Sequence, residues 1–235
     1  MKQIVQSLKT GGTEILEFPA PQVKPGHILI QSTYSLVSIG TERSTVTGTK
    51  QSLMSRAKEN PEKILKLLDL VKNNGIKKTI SSITNQIDQF FPLGYCNSGI
   101  VIEVGENISD IQIGDRVVSN GPHAEIVSVP RNLVCKIPDL VSNKHASFTV
   151  IGAIALQGVR LCKPTLGEYI VVIGLGLVGL MTVQILKANG CRVIGIDIDQ
   201  KKCDLAASFG AKTINSKDVS DIDKLIYNLT SQEIH

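Results

Sequence analysis

One stretch constrains the fold of this chain more than any other. An apolar run, Tyr169-Ile170-Val171-Val172-Ile173, empties into Gly174-Leu175-Gly176-Leu177-Val178-Gly179. Five apolar residues before a glycine cluster read as a buried strand, and the apolar periodicity after it reads as a helix. Each glycine has a separate physical task. Gly174 permits a tight turn out of the strand. Gly176 lacks a Cβ, so backbone can approach a pyrophosphate. Gly179 lets the helix lie against the strand. The N–H groups of Leu175, Leu177 and Val178, with the positive end of the helix dipole, then suit a bound anion. The plainer alternative is a packed strand-turn-helix with no ligand. The next apolar run, Arg192-Val-Ile-Gly-Ile-Asp197, argues against it by ending in a carboxylate. Asp197 at that strand tip can accept hydrogen bonds from both hydroxyls of an adenosine ribose and would repel a 2′-phosphate. Lys202 on the following helix can reach the same sugar. The cofactor implied is NAD.

The rest of the chain falls into two rhythms. From about residue 144 onward strands and helices alternate. A helix is predicted over 144–160, apolar nearly all round and hence buried. A strand (168–174), helix (178–189), strand (192–197), helix (200–209), short strand (212–214) and helix (218–230) follow. Such alternation predicts a parallel sheet with right-handed crossovers. Residues 1–47 and 93–137 instead carry short alternating strands punctuated by Pro19, Pro21, Pro25, Gly26, Gly105 and Gly114. That spacing predicts a small, partly open β-barrel. The domains expected are 1–143 and 144–235.

A helical insertion is expected over about 50–91. Asn60 and Pro61 open one helix, with Ile64, Leu67, Leu68 and Val71 on one face and Gly75 at its end. A second is expected over about 78–89, with Ile80, Ile83, Ile87 and Phe90 inward. The insertion reads either as a packed decoration or as a cover over a substrate or partner surface.

Composition excludes several classes. Net charge is +4, from 25 basic and 21 acidic residues, with no long basic run, so no nucleic-acid partner is expected. Cys96, Cys135, Cys162, Cys191 and Cys203 form no Cys-x-x-Cys pair, which argues against a disulfide framework and a four-cysteine zinc site. The longest apolar stretch, Tyr169 to Met181, is broken by glycines and too short to span a bilayer. A cytoplasmic protein without membrane contact is the expectation.

The order of parts, with Gly105-Glu-Asn, Gly114-Asp-Arg-Val, Ala124-Glu125, Pro138-Asp139 and Gly174 to Gly179, resembles the medium-chain dehydrogenase/reductase superfamily of alcohol dehydrogenases. The resemblance covers nearly the whole chain apart from the insertion. It implies a GroES-like β-barrel followed by a Rossmann doubly wound sheet, an NAD(P)-dependent oxidoreductase, and a small-molecule substrate. The insertion before Pro92-Leu-Gly-Tyr and the run Phe148 to Arg160 resemble one subgroup, bi-domain bacterial oxidoreductases whose C-terminal half is similar to glucose–fructose oxidoreductase.

Departures from the family pattern bear on metal. Zinc members place a Cys before Gly-Thr-Asp, where this chain has Ile39-Gly40-Thr41-Glu42. Their Gly-His-Glu is here Gly94-Tyr95-Cys96, and their third ligand falls near Ile151. One cysteine among such neighbours cannot supply the roughly three donors that zinc needs. No catalytic or structural zinc is expected.

Another polarising group is then required. The resemblance assigns Thr41 to proton relay. Tyr95 can donate to a developing alkoxide, and His123 sits in the loop Gly-Pro-His-Ala-Glu. Each has a plainer reading: a turn cap for Thr41, edge packing for Tyr95, an exposed loop residue for His123. Glu42 and Arg43 are expected to pair at the surface.

Only the first three Rossmann strands can be read, so the sheet is expected to be incomplete. Completion would come from a C-terminal or separate domain, and a homo-oligomer is also open. The leading expectation is a zinc-independent NAD(H) oxidoreductase acting on an alcohol, ketone or sugar derivative, as a fragment of a longer chain. The rivals are a quinone or enoyl reductase and a non-catalytic nucleotide-binding or assembly module.

Overall fold

The computed structural model describes residues 1–7, 12–40, 42 and 90–231. The chain divides into two compact units, Met1–Ser147 and Phe148–His235. The expected helical insertion falls outside the described residues, except at its end. There Phe90 and Phe91 lie on a short strand and are about half exposed, so Phe90 does not point into a helix-packed core.

Among its described residues, the first unit has eight strands and one short α-helix. They are β1 (Lys2–Ser7), β2 (Thr13–Glu17), β3 (His27–Ser35), β4 (Phe90–Pro92), β5 (Asn97–Val104), β6 (Arg116–Ser119), β7 (Ile126–Pro130), β8 (Val134–Lys136) and α1 (Asn143–Ala146). Two sheets form, in the orders β2-β1-β4 and β7-β3-β5-β6-β8. An isolated bridge from Gln3 to Ala124 joins β1 to the residues just before β7. The alternation of β3, β5 and β7 turns Ile28, Ile30, Val101, Val127 and Val129 inward, and Ile111, Val117 and Val134 complete that core. Register shifts in the β3–β5 pair, after Leu29 and after Ser32, bend the sheet. Ser35 is the last residue of β3, beside the start of β5.

The second unit contains α2 (Thr149–Cys162), β9 (Tyr169–Ile173), α3 (Leu177–Ala188), β10 (Arg192–Asp197), α4 (Gln200–Ser208), β11 (Lys212–Asn215) and α5 (Ile222–Ser231). The sheet is parallel, in the order β11-β10-β9. The period of two along β10 sends Val193 to one face and Ile194 and Ile196 to the other. Val193 joins Val172, Leu175, Val183, Leu186, Cys203 and Ala206 beneath α3 and α4. Ile194, Ile196 and Ile214 are covered by Ile222, Leu225, Ile226 and Leu229 of α5. Both faces of the central strand are therefore buried, as a parallel sheet requires.

Two expectations are corrected. The strand Tyr169–Ile173 is not buried throughout: Val172 is, but Val171 is 37% and Ile173 83% exposed. Among the described residues β9 pairs only with β10, so it is an edge. Residues 169, 171 and 173 share one face, and α5 reaches only Tyr169 there. The single helix expected over 144–160 is instead two, α1 and α2. The Ser147 hydroxyl donates to the Lys144 carbonyl at 2.7 Å, the acceptor that the Phe148 N–H would need to continue the helix. Nor is α2 buried all round. Ile151, Ala155 and Val159, four apart, form its inner stripe, while Ile154, Leu156 and Leu161 are exposed.

Candidate functional site

The glycine loop between β9 and α3 has the geometry its sequence predicts. Gly174 sits at φ +88°, a left-handed value that L side chains rarely adopt. A Cβ on Gly179 would lie 1.9 Å from the Gly174 carbonyl oxygen, so helix and turn are in direct backbone contact. A Cβ on Gly176 would meet nothing within 4 Å, which leaves space in front of the helix start. Gly176 is the N-cap of α3, and no side chain caps that end. The N–H groups of Leu177, Val178 and Gly179 at this first turn lack acceptors four residues back, as every helix start does. The loop is thus a backbone cradle suited to an anion.

Leu175 plays a different part. Its side chain is fully buried, against Gly195 of β10. Its N–H donates to Asp197 Oδ2 at 2.7 Å. This amide holds the carboxylate rather than facing a phosphate, so Leu175 is a positioning residue of the loop. Asp197 also accepts from the Asp199 N–H at 2.9 Å, and Lys202 Nζ lies 3.7 Å from Oδ1. The Asp197 side chain is 8% exposed. Burial pushes its pKa up, but the N–H groups of Leu175 and Asp199 and the Lys202 ammonium outweigh it. The carboxyl is held below its ordinary value, ionised at neutral pH.

A hollow of about 510 Å³ in this unit is lined by Leu156, Val159, Arg160, Ile185 and Asn189. It lies at the C-terminal end of α3, the opposite end from the glycine loop, and is not the cradle.

The candidate groups of the first unit are arranged differently from expectation. Thr41 lies outside the described residues. Tyr95 is half-buried, and its neighbour Cys96 is fully buried. His123 is not an exposed loop residue: it is 4% exposed. Its N–H donates to the Leu93 carbonyl at 2.8 Å and its carbonyl accepts from the Ile4 N–H at 2.8 Å, so β1 and Leu93 clamp its backbone. Its ring stacks so closely on Gly94, at φ +90°, that a Cβ there would lie 2.5 Å from it. The ring Nδ1 is 2.9 Å from Ser35 Oγ, and Nε2 is 3.3 Å from both Glu42 oxygens. Glu42 therefore faces His123, where a surface pair with Arg43 was expected. Its Oε1 also accepts from the Ser38 N–H at 2.8 Å. Ser35 and Glu42 were missed as site residues, because they lie 88 and 81 positions from His123 in the chain.

The donor set at the family's zinc positions does not fit that metal. Ile39 and Ile151 carry no donor atom, and Ile39 is 72% exposed. Among the described residues no three His, Cys, Asp or Glu side chains converge on a metal position. No helix among them is long and apolar enough to cross a membrane.

Strand, glycine turn, helix and acid-tipped second strand define a dinucleotide-binding type of βαβ unit. Residues 178–235 match the family model described as zinc-binding dehydrogenase. The D-guloside 3-dehydrogenase of Escherichia coli (strain K12) is 33% identical over 147 residues, covering 61% of this chain and 42% of that protein. The match thus spans less than half the length of that relative. Among solved structures, an alcohol dehydrogenase from Thermus sp. ATN1 aligns with a TM-score of 0.75 at 21% identity, over 98% of this chain and 67% of that one. The Escherichia coli quinone oxidoreductase complexed with NADPH aligns at 0.74 and 19%, over 98% and 63%. Over the matched residues the chain is thus similar in sequence to zinc-type dehydrogenases, and the two solved structures share its fold.

Proposed function

We propose that this chain is the cofactor-binding and substrate-activating part of a zinc-independent, NAD(H)-dependent oxidoreductase acting on an alcohol, ketone or sugar derivative. The observation that carries the reading is the pairing of the open Gly176 cradle with an ionised Asp197 at the tip of β10. Gly176, Leu177, Val178 and Gly179 would hold the diphosphate, and Asp197, braced by Leu175 and Lys202, the adenosine ribose. A bound nicotinamide dinucleotide supplies or accepts hydride. Asp197 favours NAD(H), since a 2′-phosphate would meet its charge. The first unit is read as a GroES-like catalytic unit in which Thr41, Tyr95 and His123 serve the proton and oxygen chemistry.

The similarity to a protein named D-guloside 3-dehydrogenase supports a sugar-derivative or alcohol substrate. The unpaired edge of β9, with exposed Val171 and Ile173, suits a further strand from a C-terminal or separate domain, or from a second copy. A cytoplasmic site of action and a small-molecule substrate belong to the same reading.

Turnover assays with NADH and NAD⁺ across alcohols, sugar derivatives, ketones, enones and quinones test it. Activity confined to the carbonyl–alcohol pairs supports the proposal. Activity on enones or quinones alone favours the reductase reading. Binding without turnover favours a nucleotide-binding module. Elemental analysis is expected to give zinc well below one equivalent after dialysis; a tight one-to-one content would contradict the argument from Ile39 and Ile151.

A further inference from the structure

We propose that Ser35, His123 and Glu42 form a proton relay, in which the Ser35 hydroxyl is the outward end and the partly buried Glu42 carboxylate the inner anchor. The inference rests on the oxidoreductase reading for its reaction, but its geometry stands without it. An ionised carboxylate can only accept hydrogen bonds, so Glu42 requires a proton on His123 Nε2. In the neutral ring that places the lone pair on Nδ1, which is 2.9 Å from Ser35 Oγ. The acid thus fixes the tautomer that makes Nδ1 a base toward the serine.

The two ends differ in access. Ser35 is an exposed residue at the end of β3, whereas the side chains of His123 and Glu42 are 3% and 13% exposed. Among the described residues, the Ser35 hydroxyl is the exposed group that the imidazole contacts, and it offers the ring a proton path outward. Its backbone is clamped by Ile4 and Leu93, and its ring lies flush on Gly94. Glu42 is in turn held by the Ser38 N–H. Such a preorganised chain loses little in reorganisation when a proton moves.

In the direction of alcohol oxidation the balance is simple. The substrate hydroxyl gives its proton to Ser35 Oγ while Ser35 gives its own to His123 Nδ1. The imidazolium formed is stabilised by Glu42. A bound oxidised nicotinamide dinucleotide would accept the hydride, with its two electrons, from the substrate carbon. The reverse sequence delivers a proton to a carbonyl oxygen. Ser35 is then the group that touches substrate, and Glu42 is a positioning residue.

Nitrogen-15 correlation spectra of the histidine rings, recorded on the whole chain without cofactor, test the geometry directly. Only four histidines are present, so assignment by substitution is practical. The expected result is an Nε2–H tautomer for His123, an Nδ1 resonance that moves in Ser35→Ala, and loss of the single tautomer in Glu42→Gln. An Nδ1–H tautomer, or spectra unmoved by both variants, would overturn the relay. In turnover, Ser35→Ala is expected to lower kcat by about 100-fold with KM within about twofold. It is also expected to abolish any solvent deuterium isotope effect. Wild-type kcat in that variant would overturn the relay. An inactive wild type with the predicted tautomer would instead count against the oxidoreductase reading alone.

Discussion

Gly179→Ala is expected to eliminate dinucleotide binding and to destabilise the second unit by about 3 kcal/mol. The added Cβ would sit 1.9 Å from the Gly174 carbonyl oxygen and 3.0 Å from its carbonyl carbon. Neither atom can yield cheaply, because Gly174 already turns at φ +88° to leave β9. Relief requires α3 to move away from the strand, which opens the core around Val172, Leu175 and Val183. The contrasting variant is Gly176→Ala. Its Cβ meets nothing within 4 Å, so folding should change by less than about 1 kcal/mol. Affinity for NADH should nevertheless fall more than about tenfold, because the methyl occupies the approach to the helix start. Thermal unfolding with calorimetric titration separates the two effects. Undiminished NADH affinity in Gly176→Ala would mean that the cradle is only a packed turn.

Asp197→Asn is expected to act on both cofactor choice and stability. Without the negative charge, the ratio of NADPH to NADH affinity should rise at least about tenfold, a difference of about 1.4 kcal/mol. The carboxylate also ties Leu175 to β10 through a charged hydrogen bond, so its loss should cost about 2 kcal/mol. The sign of the pH dependence follows from the lowered pKa of this group. Its stabilising contribution is present in full above the ordinary Asp value. It disappears as the pH falls through the lower folded value. Acid unfolding of the wild type should therefore steepen below about pH 4, and the Asn variant should lack that part of the slope. An unchanged NADPH to NADH ratio would remove Asp197 from the ribose site.

The α/β rhythm of the second unit was legible because its signals are local. Apolar runs, glycines and the acid at Asp197 lie within one strand-turn-helix-strand segment, and strands and helices 168–215 fall within a residue or two of their expected bounds. What escaped depends on neighbours. Ile173 is exposed because the α5 side chains cover the Tyr169 end of its sheet face and not the Ile173 end, and at the junction of α1 and α2 the Ser147 hydroxyl occupies the Lys144 carbonyl. The use of the Leu175 amide by Asp197 is invisible in the glycine pattern, which treats the loop amides alike. His123 and Glu42 are 81 positions apart, and no periodicity links residues joined only by the clamping of β1 and Leu93. The one local hint was the turn Ser38 to Glu42, where an acid placed to cap a turn could also face inward. Nothing in the sequence marked Ser35.

The account rests on the glycine loop and Asp197 acting together on one ligand. Calorimetric titration of the whole chain with NADH, alone and after completion of the sheet beside β9 by a fused or added partner domain, measures that directly. The account predicts one saturable site, weakened by Gly176→Ala and shifted toward NADPH by Asp197→Asn. No heat with NADH, NADPH or their oxidised forms in either preparation would contradict it.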